Sequence, residues 1–167
     1  DARIFIMESD DLKDWDNPQI LKVKGTEVPE KEMGRMIDPY LIEDIDEKGK
    51  WWCFYKQNGV SMSYTYDFKE WVFYGNTNSG ENVCVIKQGN EYIMLHSPSN
   101  GIGIKRSSDL KNWTDFGGLI TLGQKEWNWA KGRITAGTVV DLRSLPEIGK
   151  YLMFFHGSGP KKENEGD

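Results

Sequence analysis

The chain has 167 residues, a formal net charge of −5 and a sequence pI of about 5.2. The length suffices for one domain with a real core, and the acidic balance argues against a nucleic-acid partner, because phosphate contacts need a basic surface. Apolar runs all fall short of the roughly 18 residues that a membrane-spanning helix needs, so we predict no membrane segment.

A five-residue phrase recurs along the chain and organises it. It reads Asp-Leu-Lys-Asp-Trp at 11–15, Asp-Phe-Lys-Glu-Trp at 67–71 and Asp-Leu-Lys-Asn-Trp at 109–113. Each copy follows a short strand, and an aromatic strand and a short apolar strand precede the second and third copies. In chain order, the predicted strands cover residues 4–9, 38–42, 51–55, 60–65, 82–86, 91–96, 102–107, 137–140 and 150–156.

This order of strands predicts an all-β fold built from propeller blades. Four antiparallel strands that repeat every 40 to 56 residues, roughly, are typical of a blade, and helix signals are absent. We predict whole blades at about 36–79 and 81–121, and one blade split between 1–30 and 132–157, within a single partial domain over 1–167. The alternative is a β-sandwich in which the repetition arises by chance.

About three blades are fewer than a closed propeller uses, so we expect an incomplete ring. The sequence opens on a third strand and closes on a second strand, and open edges need to be paired or covered. We therefore expect either a piece of a larger propeller or a ring that a second chain completes. Cys53 and Cys84 each lie in an apolar run, which favours two buried thiols over a disulfide.

The blade openings resemble those of the five-bladed propeller glycosidases, namely glycoside hydrolase family 43 and the related families 32, 68, 117 and 130. Asp-Pro at 38–39, with Gly-Lys-Trp-Trp at 49–52, is similar to a blade start and first hairpin of these families. Glu81, followed by an apolar strand and a Gly-Asn turn, is similar to the blade that carries their acid. Ala-Gly-Thr-Val-Val at 136–140 resembles the closing blade. The resemblance implies a five-bladed parent fold.

The resemblance also implies catalytic roles, because first strands line the central channel of a propeller. Glu81 would be the general acid and Asp38 a supporting carboxylate, as glycosidases need paired carboxylates. The alternatives are a solvated loop carboxylate for Glu81 and an Asx turn for Asp38. The base or nucleophile of the family lies in an earlier blade that this sequence does not contain, and Ala136 stands where many relatives have histidine.

Five further side chains are candidates for binding a sugar. Arginine donors suit sugar hydroxyls, and exposed aromatic rings stack on pyranose faces. The alternatives are surface ion pairs for the arginines, burial at a blade interface for the tryptophans and a structural role for the histidine. We predict no metal site and no cofactor, and nothing in the sequence supports a structural Ca²⁺ in the channel. The predicted substrate-binding residues are Arg35, Arg133, Trp127, Trp129 and His96.

These features favour a glycoside hydrolase, or a fragment of one, that acts on plant or microbial glycans. The alternative is a non-catalytic carbohydrate-binding or interaction propeller that lacks the base. A sialidase-like repeat is least favoured, because the Asp turn lacks the expected glycine before its tryptophan and no three-arginine cluster is evident. The expected partner is a carbohydrate, with no nucleic acid and no membrane. The compartment is not encoded in these residues, although export to the periplasm or the medium is slightly favoured for a glycan-degrading propeller.

Overall fold

The computed structural model describes residues 2–121 and 123–160, which form an all-β structure of twelve strands and two short 3-10 helices. The chain divides into two compact units, Asp1–Thr77 and Asn78–Asp167. Within the described ranges, no helix is long and apolar enough to cross a membrane.

The first unit contains one four-stranded sheet and one two-stranded sheet. Its strands are β1 (Phe5–Ile6), β2 (Gln19–Ile20), β3 (Ile37–Glu43), β4 (Trp51–Lys56), β5 (Val60–Thr65) and β6 (Trp71–Thr77). β3 to β6 pair antiparallel in sequence order, so each connection is a hairpin, and β1 pairs with β2. A 3-10 helix at Glu30–Glu32 joins the two sheets along the chain.

The second unit repeats this plan in the opposite sequence order. Its strands are β7 (Glu81–Gln88), β8 (Glu91–Ser97), β9 (Gly103–Ser107), β10 (Thr114–Asp115), β11 (Arg133–Asp141) and β12 (Tyr151–Ser158). β7 to β10 form the four-stranded antiparallel sheet, and β11 pairs with β12. The second 3-10 helix, Asn128–Ala130, lies just before β11.

The predicted all-β fold of four-stranded antiparallel blades is confirmed, with two four-stranded sheets and two two-stranded sheets in the described residues. Several strand bounds differ from the sequence prediction. β1 covers only Phe5–Ile6 of the predicted 4–9, and β11 begins at Arg133, earlier than the predicted 137. The outer strand β10 has only two residues. Gly117 and Gly118 follow β10 closely, and glycines disfavour a longer strand. The split blade between 1–30 and 132–157 stays a prediction.

The repeated Asp-x-Lys-x-Trp phrase forms the same turn in all three copies. One carboxylate oxygen of each aspartate accepts hydrogen bonds from the backbone N–H groups two and three residues later, as in an Asx turn. A hydroxyl two residues before the aspartate accepts the aspartate's own N–H. The residue after each aspartate is left-handed, at Leu12 (φ 65°), Phe68 (φ 59°) and Leu110 (φ 60°).

The second strand of each four-stranded sheet is largely buried. Four consecutive residues of β4, from Trp52 to Tyr55, are fully buried, so both faces of this strand are covered. Cys53 lies in this run and Cys84 in β7, and both are buried thiols outside any disulfide, as predicted. Burial raises the pKa of the Cys53 thiol to about 12, because a thiolate is poorly solvated there.

The first hairpin of the β3–β6 blade is held by a buried lysine. Lys50 lies over the Tyr64 ring at 4.5 Å and pairs with Glu47 at 2.9 Å. The indole N–H of Trp52 donates to a carboxylate oxygen of Asp44 at 2.9 Å. A buried ammonium needs such partners, so the Gly-Lys-x-Trp part of the blade-opening motif has a structural role here.

Candidate functional site

The first strand of each sheet begins with the same distortion. Near its start, β3, β7 and β11 each contain a β-bulge, where one extra residue opposes the second strand. One residue of each bulge is left-handed, namely Asp38 (φ 55°), Asn82 (φ 53°) and Ala136 (φ 56°). Bulges re-aim neighbouring side chains and are frequent beside functional sites. The predicted carboxylates Asp38 and Glu81 therefore both lie at the start of a bulged first strand.

Glu81 and Arg133, both predicted site residues, form an ion pair in the second unit. Each is the first residue of its strand, and β7 packs against β11. Nη2 of Arg133 donates to Oε1 of Glu81 at 3.0 Å. The side chains are 39% and 31% exposed, so a ligand can reach both. The structure thus joins the predicted acid to a guanidinium through one charge-assisted hydrogen bond.

Two buried polar atoms lie on β11, the strand that carries the arginine of this ion pair. Nε of Arg133 and Oγ1 of Thr135 make no hydrogen bond to any part of the chain that the structure describes. Buried polar groups normally find a partner, so a ligand or water is expected to supply one here. Thr135 was not predicted from the sequence. It occupies in β11 the position before the bulge that Glu81 occupies in β7, and only the register of the two bulges shows this equivalence.

His96 and Ser97, at the end of β8, are buried next to the ion pair. Nδ1 of His96 accepts the N–H of Gly80 at 2.9 Å, directly before Glu81. The Oγ atom of Ser97 accepts the N–H of Ala136 at 2.7 Å. Burial lowers the pKa of His96, nearby Lys105 lowers it further, and Asp115 opposes the shift. The predicted sugar-binding histidine is only 7% exposed and contacts backbone. Ser97 was not predicted.

Trp127 and Trp129 form an exposed aromatic pair at the start of β11. Their rings are stacked, with centroids 5.1 Å apart and planes 12° apart, and they are 43% and 51% exposed. The Trp129 ring occupies the space that a side chain at Gly157 would need. Gly157 pairs with Ile134, so the Trp129 ring covers the face of β11 and β12 to which the side chain of Ile134 belongs. Their exposure fits the predicted stacking role better than burial at a blade interface.

The remaining predicted residues lie in the first unit. Asp38 is half-buried in its bulge, and Arg35 is exposed three residues earlier. The Arg35 carbonyl accepts from Nε2 of Gln57 at 3.0 Å. Arg35 also lines a cleft of about 500 Å³ together with Lys24 and Lys56. Arg35 and Asp38 both belong to the first unit, and their catalytic and binding roles stay predictions.

We call five residues of the second unit the second-unit cluster. They supply the carboxylate of Glu81, the guanidinium of Arg133, the unpartnered hydroxyl of Thr135 and the stacked rings of Trp127 and Trp129. Such groups can donate to and accept from sugar hydroxyls and can cover the apolar face of a pyranose. Among residues 2–121 and 123–160, no group of three His, Cys, Asp or Glu is placed to hold a metal ion.

Comparison with known proteins finds likeness only among solved structures. No protein-family model matches the chain, and no curated protein sequence matches it. A thermostable family-43 glycoside hydrolase is similar, with a TM-score of 0.44 and 18% identity, over 64% of this chain and 44% of that chain. A family-43 β-1,3-galactosidase, solved with galactodeoxynojirimycin, has a TM-score of 0.46 and 16% identity, over 70% of this chain and 36% of its own.

Both of these proteins belong to glycoside hydrolase family 43, the family that the blade-opening motifs resemble. The predicted resemblance over part of a propeller is therefore confirmed. This chain spans less than half the length of either. Their activities are properties of those proteins.

Proposed function

We propose that the second-unit cluster is part of a glycoside hydrolase site that acts on oligosaccharides or polysaccharides of plants or microbes. The observation that carries the proposal is the accessible Glu81–Arg133 ion pair, in which the guanidinium nitrogen and the carboxylate oxygen are 3.0 Å apart. An exposed, stacked tryptophan pair lies in the segment that precedes Arg133 along the chain. Glycosidases place a carboxyl group against the scissile oxygen and hold the sugar with stacking and hydrogen bonds.

In this proposal Glu81 is the general acid. Arg133 bonds Oε1, so Oε2 carries the proton in the reactive form and delivers it to the glycosidic oxygen as the bond from that oxygen to the anomeric carbon breaks, which leaves Glu81 as the carboxylate that pairs with Arg133. The leaving sugar takes the proton, and a second carboxylate either takes a proton from the water that attacks the anomeric carbon or itself attacks that carbon before water replaces it. The resemblance puts that second carboxylate in an earlier blade, and gives Asp38 a supporting role.

The test is turnover of a panel of aryl glycosides by wild type, Glu81→Gln and Glu91→Gln. Glu91 is an exposed carboxylate at the start of β8, away from the bulges, and serves as the matched control. Loss of a general acid typically lowers kcat by about 10² to 10⁴-fold, whereas Glu91→Gln should match wild type. Equal turnover by wild type and Glu81→Gln would disprove the acid role of Glu81.

A second candidate function is carbohydrate binding without hydrolysis. The stacked Trp127–Trp129 pair favours it, because two exposed rings can hold a sugar without any catalytic carboxylate. Calorimetry with oligosaccharides separates the two functions. Wild type that binds an oligosaccharide but cleaves none of the panel supports the binding module, and Trp127→Ala should then weaken affinity by about 10-fold.

A further inference from the structure

The last two residues of β8 hold both strands that carry the ion pair. His96 and Ser97 are 7% and 0% exposed, respectively, and His96 also lines a cleft of about 340 Å³ together with Asp115. His96 accepts a hydrogen bond from the segment before Glu81, and Ser97 accepts one from the bulge that follows Arg133. One buried dipeptide is therefore bonded to the backbone on both sides of the Glu81–Arg133 pair.

The contact with Gly80 leaves little freedom to the backbone before Glu81. A Cβ atom at Gly80 would lie 1.9 Å from the carbonyl oxygen of Ser97, so only glycine fits this approach. The other side of the imidazole is equally confined, because a Cβ atom at Gly103 would lie 2.6 Å from Nε2 of His96. The ring is fixed between β9 and the Gly80 backbone, with Nδ1 directed at the Gly80 N–H.

The contact from Ser97 supports a backbone conformation that the sequence does not favour. Ala136 is left-handed (φ 56°), which is unfavourable for alanine, and its N–H is bonded by the Ser97 hydroxyl at 2.7 Å. Ser97 also pairs directly with Glu81 across β7 and β8. The hydroxyl therefore links the acid's own cross-strand partner to the bulge of β11.

We propose that His96 and Ser97 are positioning residues that hold Glu81 and Arg133 in their working geometry, and that protonation of His96 releases the Glu81 segment. Nδ1 accepts the Gly80 N–H only while it carries no proton, because a protonated imidazole has donors on both nitrogens. The importance of this geometry for catalysis rests on the proposed glycosidase function, whereas the coupling of His96 to Gly80 does not.

The charges around His96 set the direction of this pH dependence. Lys105 and Asp115 face it from β9 and β10 and pair with each other at 2.9 Å, while Glu81 and Arg133 pair on the side of Gly80. The pKa of His96 is lowered, with burial as the largest cause. The bond to Gly80 is therefore intact above the ordinary histidine value of 6.5 and is lost as pH falls through the lowered value.

The direct test follows the backbone amide of Gly80 by NMR in the wild-type chain and in His96→Asn. Asparagine keeps an acceptor oxygen near the position of Nδ1 but does not titrate. As the wild type is acidified from about pH 8 to about pH 4, the Gly80 and Glu81 amide signals should move with the same midpoint as the signals of the His96 ring. Over the same range, the protection of the Gly80 amide against exchange, compared with His96→Asn at each pH, should fall about 10-fold, because one hydrogen bond is lost. In His96→Asn these signals should stay in place.

Activity and sugar binding give the second readout. His96→Leu removes the acceptor and should lower kcat on a cleaved aryl glycoside by about 10 to 100-fold with little change in KM, because misplacement of a reacting group acts on the chemical step. His96→Asn should restore kcat to within about threefold of wild type and remove the acidic limb of the pH profile. Ser97→Ala should resemble His96→Leu, whereas Ser107→Ala, a buried serine of the Asp109 turn, should leave kcat unchanged.

Each result decides a separate point. A Gly80 amide that ignores the His96 titration overturns the positioning role, whatever the activity. A Gly80 amide that follows His96 in a protein that neither binds nor cleaves glycans supports the coupling and overturns the glycosidase proposal instead. If His96→Leu does not fold, the wild-type titration and His96→Asn still decide the outcome.

Discussion

Ala136 holds a left-handed backbone without a polar side chain to support it. Asp38 and Asn82, at the same place in the other two bulges, are of residue types whose short polar side chains make this conformation less costly. A glycine in a sequence indicates a possible left-handed position, whereas an alanine does not. The bulge at Ala136 could therefore not be predicted from the sequence, although Arg133 on the same strand pairs with Glu81.

Replacing Ala136 with glycine should stabilise the protein. A left-handed L-residue costs about 1 to 2 kcal/mol, and part of the gain is offset by the freedom of glycine in the unfolded chain. We expect Ala136→Gly to raise the free energy of unfolding by about 0.5 to 1 kcal/mol in urea titrations. Ala130→Gly is the control, since Ala130 is buried in a 3-10 helix without positive φ, and it should destabilise. A destabilised Ala136→Gly would contradict the strain argument.

At the scale of elements, the repeated Asp turn was the most informative feature of the sequence. One aspartate oxygen accepts the backbone N–H groups two and three residues later, so a local sequence specifies a local structure and determines where the third strand ends. The existence of the strands could be predicted from the positions of the repeated turns and from the pattern of apolar residues. The length of β10 and the start of β11 could not be predicted in this way, because pairing with neighbouring strands determines both.

The Asp109 turn should give the second blade a measurable acid sensitivity. Burial tends to raise the pKa of Asp109, but bonds from Asn112, Lys111 and Ser107 outweigh it and lower the pKa from 3.8 to about 2. The carboxylate therefore stabilises the fold above pH 3.8, and this contribution is lost as pH falls toward 2. Asp109→Asn retains the acceptor oxygen and the turn but loses the charge.

The free energy of unfolding is the measurement for this variant. Asp109→Asn should be less stable than wild type at about pH 6, and the difference should shrink as the pH approaches about 2, where both side chains are neutral. Asp109→Ala should lose about 1 kcal/mol or more at every pH, because it also lacks the acceptor. A stability gap between wild type and Asp109→Asn that stays constant with pH would show that the ionised form has no special role.

At the scale of the whole molecule, the sequence predicted four-stranded antiparallel sheets but could not bring the residues of the candidate site together. Glu81 and Arg133 are 52 residues apart and meet only because β7 packs against β11. Ser97 carries no motif, and its role appears only through its bond to Ala136. His96 was predicted from its place at a strand end, but its burial, which decides whether it contacts sugar or backbone, depends on neighbouring strands.

Because these residues all belong to the unit Asn78–Asp167, binding of an oligosaccharide should change hydrogen exchange mainly in that unit. Hydrogen exchange measured with and without a saturating oligosaccharide should show slower exchange around 79–82, 96–100 and 127–136, because these segments carry the ion pair, its supports and the tryptophan pair. The outer strand β6 should exchange equally in both states and serves as the internal control. Trp127→Ala, at the same sugar concentration, should show reduced protection.

Hydrogen exchange also tests the predicted role of Asp38. If Asp38 helps to hold the sugar, as the resemblance to family 43 implies, exchange in the segment 36–40 should slow when the oligosaccharide is added. Slowing at 79–82 without any change at 36–40 would limit the site to the second unit and leave Asp38 the structural role of supporting a left-handed bulge residue (φ 55°). Slowing confined to 2–77 would contradict the proposed site altogether.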